Sequence, residues 1–207
     1  MRVRPVRADR RFPLAGRAAA TAMTAVAAIR LELPAWIAEI DMARVHESDA
    51  DKMALAIELS RRNVAAGTGG PFGAAVFGPD HRLVSLGVNR VQACQCSVAH
   101  AEMLALGSAQ QATGRYRLNL DAGPVTLATS SQPCAMCYGA LVWAGIDVLL
   151  IGARSDDVQS LAGFDEGPLP ADWVGELERR GIAVRRDLSR EQACAVLRAY
   201  GESGLVY

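Results

Sequence analysis

Apolar positions along the chain change their period several times, and each change predicts an element. In residues 34–65, Met53, Ala54, Ile57, Leu59 and Val64 recur at approximately helical spacing and stop before Gly67, which predicts a helix over this stretch. Two short β-rich runs follow, about Phe72–Phe77 and Leu83–Val88, on either side of the turn "GPDH". Runs of that length around such a turn predict a hairpin. From Ser97, a favourable N-cap, to about Gln111, the positions Ala101, Leu104, Ala105 and Ser108 mark a helical face, and Gly114 can end it. "PVTLATS" (124–130) reads as a strand, "PCAMCYGALVWAG" (133–145) as a helix opened by Pro133 and closed by Gly145, and "DVLLIGA" (147–153) as a buried strand. Further on, "PADWVGELERRG" predicts a helix, "IAVRRDL" a strand, and "SREQACAVLRAY" a closing helix with Ser189 as its cap.

Strands separated by segments long enough to cross over imply parallel neighbours, with helices on both faces of the sheet. The expected fold is therefore α/β, a three-layer α/β/α sandwich, and 34–207 is expected to form one domain. Composition agrees with this. A hydrophobic fraction of 51% with 21% charged residues is that of a globular protein with a real core, and no apolar run reaches the ~18 residues a membrane span needs.

Charge and cysteine usage narrow the function classes. Formal net charge is zero, but residues 1–44 hold eight basic and four acidic groups, leaving 14 basic and 18 acidic groups in residues 45–207. A body near −4 lacks the basic excess that grips nucleic acid. Five cysteines, Cys94, Cys96, Cys134, Cys137 and Cys194, are too few and odd in number for a disulfide framework. Reduced thiols or thiolate ligands fit better, and the expected compartment is the cytoplasm. The Arg-rich segment 1–33 is expected to be a disordered arm or an over-long start with Met23 as the true one. Arg10-Arg11 before "FPLAG" is only loosely similar to a twin-arginine export signal, because Arg17 interrupts the apolar region.

Two short motifs carry the chemistry. "HAE" (100–102) and "PCAMC" (133–137) each stand at or near the start of a predicted helix. Cys134 and Cys137, at i and i+3, share one helical face, where the helix N-terminus favours thiolate over thiol. With His100 they make a three-ligand set for zinc that leaves the fourth tetrahedral position to water, the pattern of a catalytic site. Glu102 is placed to flank that water and carry its proton to a ring nitrogen and a leaving amine. H-x-E with a later P-C-x-x-C is the signature of zinc nucleobase deaminases. Two other readings stay open: a four-cysteine site in which Cys94 and Cys96 join Cys134 and Cys137 and His100 is a core residue, and a zinc-stabilised binding module without catalysis.

Through "AHAEMLAL" and "PCAMCYGALVWAG" the chain resembles the cytidine-deaminase superfamily. Through "GGPFGAAVF", "GVNRV" and "ARSDDVQSLAGFDEGPLP" it is similar to the bacterial guanine deaminases, from about Ala50 to Tyr207. The resemblance implies a cytidine-deaminase-like fold, with a mixed five-stranded sheet whose last two strands are parallel. It also implies Zn2+, conversion of guanine to xanthine and ammonia, in some relatives action on the triazine ammeline, and a homodimer. It gives Asn89 the purine's O6 and N7 edge, for which an amide supplies donor and acceptor. It places Glu166 beside guanine's amine as a second acid, with Phe72 and Phe164 as stacking surface. The plainer alternatives are a turn-end asparagine, a solvated loop acid and ordinary core phenylalanines. A tRNA adenosine or pyrimidine deaminase is the alternative substrate class.

Overall fold

The computed structural model describes residues 29–121 and 123–204. The arm expected over residues 1–33 falls, through Ala28, outside the described residues. All elements lie in the compact unit that begins at Leu31.

A 3-10 turn, Ala35–Glu39, precedes helix α1 (Asp49–Ala65), and the hairpin follows as β1 (Gly73–Phe77) and β2 (Leu83–Val88). One short turn of helix, α2 (Val91–Cys94), leads to α3 (Ala101–Thr113), β3 (Thr126–Ser131), α4 (Ala135–Ala144) and β4 (Val148–Ala153). Helices α5 (Ser155–Ala162) and α6 (Trp173–Glu178), strand β5 (Ala183–Arg185) and helix α7 (Arg190–Glu202) complete the chain. The sheet runs β2-β1-β3-β4-β5, antiparallel across β2-β1-β3 and parallel across β3-β4-β5. The mixed five-stranded sandwich with its last two strands parallel is thus the fold that forms.

Strand alternation builds the two faces. Ala75 and Phe77 of β1, Ala128 of β3 and Leu150 of β4 face α1, α5 and α7. Ala74, Val76, Leu127, Leu149 and Ile151 face α3, α4 and α6. Among the described residues no helix is long and apolar enough to cross a membrane.

Several boundaries differ from the sequence reading. The helix expected over 34–65 is two elements. Between them Asp41 accepts the amides of Ala43 and Arg44 in a local turn, and Val45 and His46 pair with the hairpin turn, through a Val45–Arg82 bridge and the His46 amide donating to the His81 carbonyl at 3.0 Å. Helix α1 starts only where Ser48 and Asp51 form a capping box. The helix expected from Ser97 starts at Ala101, because the Ala99 carbonyl is tied back to the Arg90 amide at 2.8 Å. Ser189 does stand at the N-cap of α7, but in the left-handed conformation (φ 49°) and without a capping side-chain bond. The strand read from "IAVRRDL" shortens to three residues. Helix α5 was not expected; Asp157 secures its start by accepting the Arg154 amide at 2.8 Å and the Arg190 guanidinium at 2.7 Å through both oxygens.

One close approach sets the depth of the site. A Cβ on Gly87 would lie 2.1 Å from the Ala101 carbonyl oxygen and 2.6 Å from the Ala105 nitrogen, so only glycine lets β2 lie directly on the first turns of α3. Gly87→Ala should therefore push α3 outward, at a cost of roughly 1–3 kcal/mol for an overpacked contact. Chemical denaturation of the purified variant checks this, and an unchanged midpoint would show that α3 has room to give.

Candidate active site

The site forms at the carboxyl ends of the parallel strands, where open α/β sheets leave a crevice. His100 is the N-cap of α3 and Cys134 the N-cap of α4, both extended and neither capped by its own side chain. Two helix N-termini thus converge on one place. His100 Nδ1 lies 3.5 Å from Cys134 Sγ and 3.7 Å from Cys137 Sγ. Among the described residues these three form the group whose ligand atoms, all within 4.8 Å of one another, could hold a metal ion. Cys94 and Cys96 stand outside it, half-buried, so the four-cysteine alternative is not what the fold assembles.

The chemistry of this donor set fits zinc: one imidazole nitrogen and two sulfurs, largely buried, at helix ends that favour negative charge. Cys134 is held down at about 4, first by the hydrogen bond from Cys137 and next, against its own desolvation, by that from His100. Cys137 is pushed upward by the same sharing with Cys134, and then by burial. The hydrogen bond with Cys134 likewise raises His100.

Glu102 follows in the first turn of α3 and is 6% exposed. Its Oε1 lies 3.1 Å from the Thr129 hydroxyl on β3, and its Oε2 accepts from Cys137 Sγ at 3.5 Å. Burial, then the Cys134 charge, raises its carboxyl above the usual range.

A cavity of about 140 Å³ opens onto this cluster, lined by Phe72, Asn89, His100, Glu102, Cys134, Phe164 and Glu166, together with Ala101, Gln132 and Asp165. Helix α5 ends at Gly163 (φ 76°), which turns Phe164, Asp165 and Glu166 into the cavity wall. The Glu166 carbonyl accepts the Ala135 amide at 2.8 Å and fastens this loop to the start of α4. Burial, followed by the charges of Glu102 and Cys134, pushes the Glu166 carboxyl up to about 8. Phe164 meets Phe72 edge-on at 5.3 Å and stacks on Tyr200 of α7 at 5.9 Å. Asn89, 2% exposed, directly follows β2; its backbone N–H donates to the Phe72 carbonyl at 3.1 Å.

Phe72, Asn89, His100, Glu102, Cys134, Phe164 and Glu166 therefore all line this cavity, and Cys137, fully buried, touches it through Glu102 and His100. Sequence reasoning missed Thr129, Gln132 and Asp165. Gln132 is flagged only by its place before Pro133-Cys134, and Thr129 by nothing but strand parity.

Comparison with known proteins agrees with this geometry. Residues 46–153 match the cytidine and deoxycytidylate deaminase zinc-binding region. The guanine deaminase of Bacillus subtilis is 37% identical over 111 residues, covering 54% of this chain and 67% of that protein. A solved guanine deaminase from Nitrosomonas europaea superposes with a TM-score of 0.81 at 44% identity, over 84% of this chain and 97% of its own. A variant of the protein NE0047 in complex with 8-azaguanine gives 0.81 and 44% over 85% and 98%. With the match to the zinc-binding region covering more than half of the chain, and that stretch supplying the imidazole and two thiols that meet at the cavity, this chain belongs to the cytidine and deoxycytidylate deaminase family.

Proposed function

We propose that this chain hydrolyses guanine to xanthine and ammonia, with zinc held by His100, Cys134 and Cys137. The observation that carries the reading is a second carboxyl, Glu166, facing the same cavity as Glu102. Similarity to guanine deaminases over nearly the whole of one solved relative supports it. A bound zinc supplies Lewis-acid chemistry that lowers the pKa of a water toward ~7.

The chain's own groups do the rest. Asn89 orients the base through its O6 and N7 edge, and Phe72 and Phe164 exclude water from the ring faces. Glu102 accepts a proton from the attacking water and returns it to a ring nitrogen. Guanine's amine stands between two ring nitrogens and must be protonated before it leaves. Glu166, which keeps its proton near neutral pH, delivers one to that nitrogen and divides the task. As the carbon–nitrogen bond breaks, the hydroxyl on the former amino carbon gives its proton back to Glu166 and becomes the carbonyl, so both carboxyls are restored and ammonia departs.

Ammeline, with a guanidine-like amine on a triazine, belongs to the same proposal, as do a cytoplasmic setting, supported by five free cysteines, and a homodimer, supported by Trp143 standing 78% exposed on the apolar α4. A body near −4 argues against a tRNA substrate.

Ammonia release from free bases, nucleosides and triazines by the zinc-loaded protein tests the reading, and preference for cytidine or adenosine would replace it. Glu166→Gln separates the guanine reading from a generic deaminase. It should lower guanine turnover roughly 10²-fold at matched zinc content, whereas an acid idle in its loop would leave turnover unaffected.

A further inference from the structure

Behind the pocket wall lies a fully buried asparagine that the proposed chemistry does not use. Asn63, in the last turn of α1, is 0% exposed and does not line the cavity. Its Nδ2 donates to the carbonyls of Gly70 and Asn89, both at 2.9 Å, and its Oδ1 accepts the Thr68 hydroxyl at 2.8 Å.

The direction of these bonds is forced. The carbonyls of Gly70 and Asn89 can only accept, so the amide's Oδ1 must face Thr68 Oγ1, which accepts the Trp36 indole N–H at 3.1 Å and has Asn63 Oδ1 at 2.8 Å and the Asn63 carbonyl at 3.2 Å as acceptors for its own proton. The amide's NH2 then faces the two carbonyls. Those carbonyls belong to the two backbone segments that carry the base-facing residues. The Phe72 amide donates to Gly70 at 2.9 Å, and the Asn89 amide to Phe72 at 3.1 Å. The segments are pressed together tightly enough that a Cβ on Gly69 would lie 1.9 Å from the Asn89 carbonyl oxygen and 2.7 Å from Asn63 Nδ2.

From this we infer that Asn63 is the positioning residue of the base pocket, setting where Asn89 and Phe72 meet the base by clamping the backbone of both. The inference rests on the reading of the cavity as a guanine site. Asn63 reaches neither the metal-ligand triad nor Glu102, so it governs how the base is held and leaves proton transfer alone.

Asn63→Asp keeps the shape and turns an oxygen toward two carbonyl oxygens. In the zinc-loaded full chain it should raise KM for guanine about tenfold or more while kcat stays within about threefold, the mark of lost uniform binding. In an Asn89→Ala background the same change should add much less to KM, since the route through Asn89 is already cut. Should Asn63→Asp not fold, Thr68→Val removes the hydroxyl that faces the amide's Oδ1 and should raise KM likewise, with Thr68→Ser restoring it. A KM unchanged in these variants, with only melting temperature or active fraction reduced, would overturn the inference.

Amide exchange of the ligand-free protein separates this inference from the functional reading. Disrupting the clamp should speed exchange at Phe72 and Asn89. If the wild type released no ammonia from guanine, the functional reading would fail, and unchanged exchange at those two amides would overturn the positioning role.

Discussion

Glu102→Gln is expected to keep the metal and the fold and to lose turnover by roughly 10²–10⁴-fold or more, the range for removing a general acid–base group. The reason lies in what surrounds the side chain. Glu102 is 6% exposed and set between the Thr129 hydroxyl and the Cys137 thiol. A carboxamide of the same size can keep the contact with Thr129, and it adds no charge to a buried position. What it cannot do is accept a proton from water and release it to the base. Stability and activity should therefore separate: zinc content and melting temperature near wild type, with ammonia release almost absent. A Gln variant with wild-type-like rates would sink the proton-transfer role.

Cys134→Ala and Cys137→Ala should each remove zinc, abolish turnover and destabilise the fold, because metal binding free energy is also folding free energy. The loss is expected to be larger than for an ordinary cysteine-to-alanine change, since both sulfurs are buried at the start of α4 and the remaining thiol and imidazole would face each other without a metal. Cys94→Ala and Cys96→Ala should be mild, with zinc retained. Metal analysis beside thermal unfolding tests the set. Zinc lost from the Cys96 variant but kept in a His100 variant would reverse the ligand assignment.

The sandwich was legible because hydrophobic periodicity is a local signal, and the strands of "PVTLATS" and "DVLLIGA" carry it strongly. The metal-ligand cluster was legible for a different reason. His100 with Glu102, and Cys134 with Cys137, are two short-range pairs, and only one long-range juxtaposition was needed to join them. Boundaries failed where backbone groups found tertiary partners. Val45 and His46 bond to the hairpin turn, and the Ala99 carbonyl accepts the Arg90 amide. The Ser48–Asp51 capping box was a local signal that could have placed the start of α1. Thr129 and Asn63 were beyond reach, because Thr129 meets Glu102 across 27 positions and Asn63, besides its local bonds to Thr68 and Gly70, joins the pocket through Asn89 across 26, juxtapositions that only the fold makes.

The hydrogen bond from Trp36 to Thr68 gives the chain an optical handle on its own pocket. Of the three tryptophans, Trp143 stands 78% exposed and Trp173 packs under the Arg186 guanidinium at 5.3 Å. Trp36 alone is bonded, through Thr68 and Asn63, to the segments that bear Phe72 and Asn89. With Trp143 and Trp173 replaced by phenylalanine, a single indole would remain whose emission depends on whether its N–H keeps that partner. Filling the cavity could then be followed as a change in fluorescence, without a label and without turnover.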